Sequence, residues 1–269
     1  MKAEILSIEG TKKGEIELPK YFEEPIREDL IKRAFISWQS EQRQPYGAFW
    51  LAGKQKSASG KIKHGRRKWK GQYGKGISRI PRKIMSRHGS SFNWVGAFVS
   101  GTKGGREAHP PKAEKIWEKK INKKEKKKAL HAALAATASQ KIVQKRYGLA
   151  KELGIEKLKF PIIVEEKILD VKKIDEFKRI IEKLLDGLIK IALPERRIRA
   201  GKGKMRSRPY KKQKGLLIVT AKDGLKSVGN LGIEIINVNT LNIGNLAPGG
   251  KAGRITIYTE DAIKELIKK

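Results

Sequence analysis

The chain has 269 residues, 38% of them hydrophobic, enough for a real core, and sets 62 Lys and Arg against 28 Asp and Glu for a formal charge of +34. An excess of that size opposes compaction by self-repulsion unless a polyanion accompanies the chain, so the expected partner is nucleic acid or an anionic membrane. The absence of cysteine excludes disulfides, thiolate metal sites and cysteine catalysis, and the four histidines, His64, His88, His109 and His131, lack any paired His-x-x-x-His spacing that would suggest a metal.

In chain order, residues 3–8 (AEILSI) and 14–18 (GEIEL) alternate and flank GTKK, which predicts a hairpin. A helix is expected from Pro25 to Arg43, where Ile26, Leu30, Ile31, Ala34, Phe35 and Trp38 recur at three- and four-residue steps. From Gln42 to Arg106 there is no Asp or Glu in 65 residues, and Lys54 to Arg106 holds fifteen Lys and Arg among glycines and aromatics. No period lasts there, so a long extended loop is expected. The aromatics, which disordered tracts tend to lack, argue that it has a function. Helix is predicted over Lys112–Lys141, a buried strand over FPIIVE (160–165), and a helix capped by Asp170 with a stripe of Ile174, Phe177, Ile180, Ile181, Leu184, Leu185 and Leu188.

Arg196 to Lys214 then gathers ten basic residues and no acid, directly before LLIVT (216–220), a continuous aliphatic run that reads as a strand covered on both faces. A short helical piece near 223–229, strands at 233–238 and 255–258, the loop NIGNLAPGGKAGR between them and a helix capped by Thr259 complete the reading. The expected fold is one α/β domain over 1–269. It has a mainly parallel, Rossmann-like sheet flanked by helices, a long extended internal loop (46–106) inserted in it and a second basic segment at 196–214.

Nucleotide chemistry finds little support. GKGISR (74–79) and GKGKMR (201–206) lack the third glycine and a preceding strand, no phosphate-loop pattern occurs, and no cofactor or small-molecule substrate is expected. Glu165, Glu166 and Asp170 read as helix-surface acids rather than an acid–base pair, and Ser86 with His88 has no acid nearby to orient it. The longest apolar runs are of strand length, far short of the ~20 residues of a spanning helix. Neither basic run has the apolar stripe of a membrane-surface helix, and MKAEILSIEG lacks a signal peptide's apolar stretch, so a cytoplasmic, non-enzymatic protein is expected.

The basic runs do match a need. Lys and Arg neutralise phosphates, glycine lets backbone approach a polyanion, and aromatics stack on unpaired bases. The residues expected on RNA are Lys54, Lys56, Lys61, Lys63, Arg66, Arg67, Lys68, Trp69, Lys70, Tyr73, Lys75, Arg79, Arg82, Lys83, Arg87, Lys103 and Arg106 in the loop. In the second segment they are Arg197, Arg199, Lys202, Lys204, Arg206, Arg208, Lys211 and Lys212, and that segment is expected to take its order from RNA. An RNA-modifying enzyme and a general RNA chaperone are the competing readings.

The stretches QPYGAFWLAGKQKSASG (44–60), RIPRK (79–83), GGREAHPPK (104–112), RIRAGKGKMRSR (197–208) and NLAPGGKAGR (245–254) occur in an order that resembles the family of the fourth protein of the large ribosomal subunit, in the branch shared by archaea and eukaryotes. The resemblance implies a globular α/β domain on the subunit surface, bound to large-subunit ribosomal RNA and to neighbouring ribosomal proteins. It also implies that the loop Tyr46–Arg106 penetrates the RNA, its tip near Ile62–Phe92 narrowing the exit tunnel of the nascent peptide, with RAGKGKMRSR as a second RNA contact.

Overall fold

The sheet begins with two strands of opposite character, and the computed structural model describes residues 1–56, 58, 80–88, 91–148, 155, 158–171, 173–185, 187–211, 213–222 and 231–268. In chain order the strands and helices are β1 (Lys2–Leu6), β2 (Lys12–Glu17), α1 (Glu28–Glu41), β3 (Arg82–His88), β4 (Ser91–Gly96), α2 (Lys123–Ala138), α3 (Gln140–Arg146) and β5 (Ile162–Val164). There follow α4 (Ile174–Leu185), α5 (Ile189–Ala192), β6 (Arg197–Ile198), β7 (Tyr210–Lys211), β8 (Leu217–Thr220), β9 (Glu234–Asn237), α6 (Ile243–Leu246), β10 (Thr256–Thr259) and α7 (Glu260–Lys268). They fall into two compact units, Met1–Gln42 with Glu118–Lys269, and Arg43–Trp117.

In the first unit six strands lie in the order β2-β1-β5-β10-β8-β9, antiparallel only at β1/β2 and parallel elsewhere. Alternate residues of the central strands serve opposite faces. Ile163, Leu217, Val219 and Tyr258 join Ile31 and Ala34 of α1, the alanines of α2, and Ala262, Ile263 and Leu266 of α7. Ile162, Val164, Ile218 and Ile257 pack against Phe177, Ile181, Leu184 and Leu185 of α4. Helices therefore cover both faces, which is why β8 is aliphatic throughout and wholly buried. The edge strand β2, KKGEIE, is largely exposed and heavily charged, which discourages pairing with another chain.

Several expectations need correction. Residues 112–122 are not helical: α2 starts at Lys123, and Ser139, in extended backbone, divides it from α3. KAEKIWEKKIN sets Ala113, Ile116, Trp117 and Ile121 at helical spacing, yet Ile116 is left 82% exposed and the stretch does not coil. Its part in the first unit is held along α1 instead, Ser37 Oγ donating to Lys119 O (2.6 Å) and Lys119 N donating to Ser40 Oγ (2.9 Å). Asp170 does not cap α4, because it closes a 3-10 turn at Glu166–Leu169 and α4 begins four residues later. The loop is not without period, since β3 and β4 form an antiparallel hairpin with an irregularity between Ile84 and Ser86. The glycine-rich stretch after β9 holds α6, with Asn242 Oδ1 accepting from Asn245 N (3.3 Å). The helical piece expected near 223–229 lies outside the described residues.

Candidate nucleic-acid interface

In the first unit some lysines over the sheet and its helices face carboxylates: Lys13–Glu165 (2.8 Å), Lys145–Glu28 (2.7 Å), Lys159–Glu4 (2.9 Å) and Lys222–Glu166 (3.0 Å). Among the described residues no such partner reaches Arg197, Arg199, Lys202, Lys204, Arg206, Arg208 or Lys211. These seven belong to a small hairpin. β6 and β7 pair antiparallel through Arg197/Lys211 and Ile198/Tyr210, and a 3-10 turn at Lys202–Arg206 closes the end, with Ser207 left-handed (φ 59°). The expectation that this segment has no order of its own is therefore corrected. Its backbone bonds to itself, Arg199 N to Pro209 O (2.8 Å) and Arg208 N to Gly203 O (3.2 Å).

Arg199 differs from its neighbours in that hairpin. It is half-buried and spends its guanidinium on backbone, Nε donating to Arg208 O (3.2 Å) and Nη2 to Tyr210 O (3.3 Å). Arg197, Lys202, Lys204, Arg206, Arg208 and Lys211 are exposed, and so are Ile198, Met205 and Tyr210. A groove of about 890 Å³ runs beside the hairpin, lined by Arg196, Arg199, Arg208, Lys211 and Tyr210.

The root of the hairpin depends on a residue that sequence reasoning missed. Arg254, the last residue of NLAPGGKAGR, is fully buried. Its Nε donates to Gly215 O (2.8 Å) and Nη2 to Leu216 O (3.3 Å), while Nη1 reaches Asn245 O (2.7 Å) and Glu234 Oε2 (2.6 Å). Glu234 also pairs with Lys214. Burial pushes the Arg254 guanidinium down to about 10. One arginine thus ties together the end of the basic segment, the edge strand β9 and the loop before β10. Its only sequence signal is an Arg immediately before a β-branched strand. Arg146 supports the same loop by donating to Pro248 O (3.2 Å), Ala252 O (3.5 Å) and Lys251 O.

In the second unit, Lys54 and Lys103 are exposed, while Lys56, Lys83 and Arg106 are half-buried. Lys56 Nζ donates to Gly104 O (2.8 Å), and desolvation, with Lys83 nearby, lowers its pKa from the ordinary lysine value. None of these five forms an ion pair among the described residues. Here the two ends of the loop touch: a side chain at Gly53 would meet the Arg106 backbone at 2.6 Å, and Gly53 also needs its φ of +74°. On the hairpin, Arg87 is exposed but Arg82 is buried (3% exposed), its guanidinium carbon 4.7 Å from the Trp94 ring centroid. Among the described residues none of the three Arg82 nitrogens finds a hydrogen-bond partner, and burial lowers its pKa. Lys61, Lys63, Arg66, Arg67, Lys68, Trp69, Lys70, Tyr73, Lys75, Arg79 and Lys212 lie outside the described residues.

At the C-terminal edge of the parallel strands, where sheets of this kind commonly bind ligands, the acids are engaged. Glu165 accepts from Lys13 Nζ and from Ile8 N (3.2 Å), which holds its carboxyl below the usual range. Asp261 is likewise lowered, first by its hydrogen bond with Glu166. Among the described residues no group of His, Asp and Glu could hold a metal, and no helix is long and apolar enough to cross a membrane.

The model of the ribosomal protein L4/L1 family matches residues 16–269 of this chain. The chain belongs to that family. The proteins called large ribosomal subunit protein uL4 in three archaea are similar to it over nearly full length. That of Nanoarchaeum equitans is 43% identical over 274 residues, covering 99% of this chain and 97% of the relative. That of Methanospirillum hungatei is 40% identical over 269 residues (99% and 98%), and that of Methanocaldococcus jannaschii 40% over 272 residues (99% and 98%). As a member of the L4/L1 family the chain is a structural ribosomal protein of archaeal type and not an enzyme. In this L4/L1 protein, NLAPGGKAGR supplies a buried fastening and RIRAGKGKMRSR most of the exposed charge beside it.

Proposed function

We propose that this protein holds large-subunit ribosomal RNA on two surfaces, the 196–214 hairpin and the 46–106 loop inserted in the α/β domain. It is a structural component of the large subunit, in the cytoplasmic ribosome, and associates there with ribosomal RNA and neighbouring ribosomal proteins. The observation that carries the reading is the hairpin itself, which holds Arg197, Lys202, Lys204, Arg206, Arg208 and Lys211 exposed and without a carboxylate partner among the described residues. Unpaired, clustered cations are what counterion release from a phosphate backbone requires. Lys202, Lys204, Arg206 and Arg208 take phosphates, and Arg199 holds the hairpin's shape. The loop residues from Lys54 to Arg106 follow the RNA inward, and the loop tip reaches the exit-tunnel wall and the nascent peptide.

Competition between large-subunit ribosomal RNA and bulk duplex DNA, at one fixed salt concentration, tests the specificity of this grip. Ribosomal RNA is expected to displace the duplex. Equal affinity for both would instead mark a general polyanion chaperone.

A further inference from the structure

Within the second unit, an aromatic cluster stands on chain positions that the phosphate contacts do not use. Tyr46 and Trp117 lie nearly parallel, ring centroids 6.1 Å apart and planes inclined by 14°. Trp117 is already dressed with cations: the Arg43 guanidinium carbon is 3.7 Å and Lys115 Nζ 4.4 Å from its centroid. Tyr46 is 53% exposed, although an aromatic ring gains by burial. Beside it, His109, Pro110, Pro111 and Lys112 complete the wall of a pocket of about 610 Å³. That volume falls in the range of ligand pockets, roughly 300–1,000 Å³.

The backbone sets this wall before any ligand arrives. Ala48 N donates to Pro111 O (3.1 Å), and a side chain at Gly47 would meet Ala113 N at 2.6 Å, so the segments carrying Tyr46 and the prolines run in contact. Trp117 Nε1 is cut off from solvent and has no acceptor among the described residues, an uncommon state for an indole N–H. Charge selects the occupant. Lys112 and Lys115 line the pocket against the single acid Glu114, and Arg43 adds a third cation on Trp117. Flat apolar faces ringed by cations suit a planar ring on a phosphate backbone.

We infer that this pocket receives an unpaired nucleobase of large-subunit ribosomal RNA, stacked on Tyr46 between His109 and the two prolines, with Lys112 and Lys115 on the flanking phosphates. The inference rests on the RNA-binding reading above but separates from it in its consequences. Stacking carries no counterion term, so its loss lowers affinity without changing salt dependence.

The test titrates the full chain with transcribed large-subunit ribosomal RNA over a salt series. Tyr46→Ala is expected to weaken binding by about fivefold to a hundredfold at an unchanged slope of log K against log salt, and Tyr46→Phe to restore it. Lys112→Ala is expected to lower that slope by about one. Short-wavelength irradiation of the wild-type complex should leave a nucleotide on the peptide carrying Tyr46 or His109. If Tyr46→Ala binds as tightly as wild type, or the adduct in intact subunits is a protein peptide, the pocket is not a base site and the RNA-binding reading stands. If wild type prefers ribosomal RNA no more than duplex DNA, the RNA-binding reading itself falls.

Discussion

Arg254 fixes the geometry of the basic segment from inside the core. Its guanidinium serves three carbonyls and the Glu234 carboxylate, so truncation would remove four donations at once, leaving Leu216 O only its bond from Glu234 N and the Glu234 carboxylate only Lys214 among the described residues. Arg254→Ala should cost about 3–5 kcal/mol of stability in denaturant unfolding, the range for breaking a buried ion pair. Arg254→Lys should fall between, because an ammonium keeps the charge but cannot present the planar fork. An unchanged midpoint for Arg254→Ala would show that the loop is held by other contacts. Neither this role nor the burial of Arg82 on Trp94 is legible from residue type. In so basic a chain an arginine is expected in solvent, and only long-range packing selects the few that are inside.

Elements with a clear period were legible. The β1–β2 hairpin, α1, β5, β8, β10 and the Thr259 start of α7, where Thr259 Oγ1 accepts from Ala262 N (3.4 Å), stand close to where alternation and stripes put them. What failed was structure without a buried face. β3–β4 exposes Ile84, Met85 and Val95, and β6–β7 exposes Ile198 and Tyr210, so hydrophobic patterning had nothing to report. The 112–122 stretch failed in reverse: Ala113, Ile116, Trp117 and Ile121 are spaced as on a helix face, but Ile116 stays in solvent and no helix forms. Because the hairpin carries its own backbone bonds, its charges are separable from its fold. Replacing Lys202, Lys204, Arg206 and Arg208 together by Ala should cut the salt slope of RNA binding by about three, at ~0.7–0.9 per phosphate, and leave the thermal midpoint in place. A lowered midpoint with an unchanged slope would mean that these residues build the protein rather than hold RNA.

At the scale of the whole chain, a charge of +34 exceeds what its own carboxylates can answer. Some lysines over the sheet and its helices are paired, the exposed cations of the hairpin have no acid partner among the described residues, and a polyanion is what relieves such an excess. Membership of the ribosomal protein L4/L1 family and this unpaired charge lead to the same account, a structural protein whose grip on the large subunit is electrostatic in strength. The most direct test is sedimentation of the tagged full chain from cell extract through gradients of increasing salt. The account predicts that it travels with the large subunit and leaves only at high salt. Recovery of the chain in the light fractions at low salt, with large subunits intact, would contradict it.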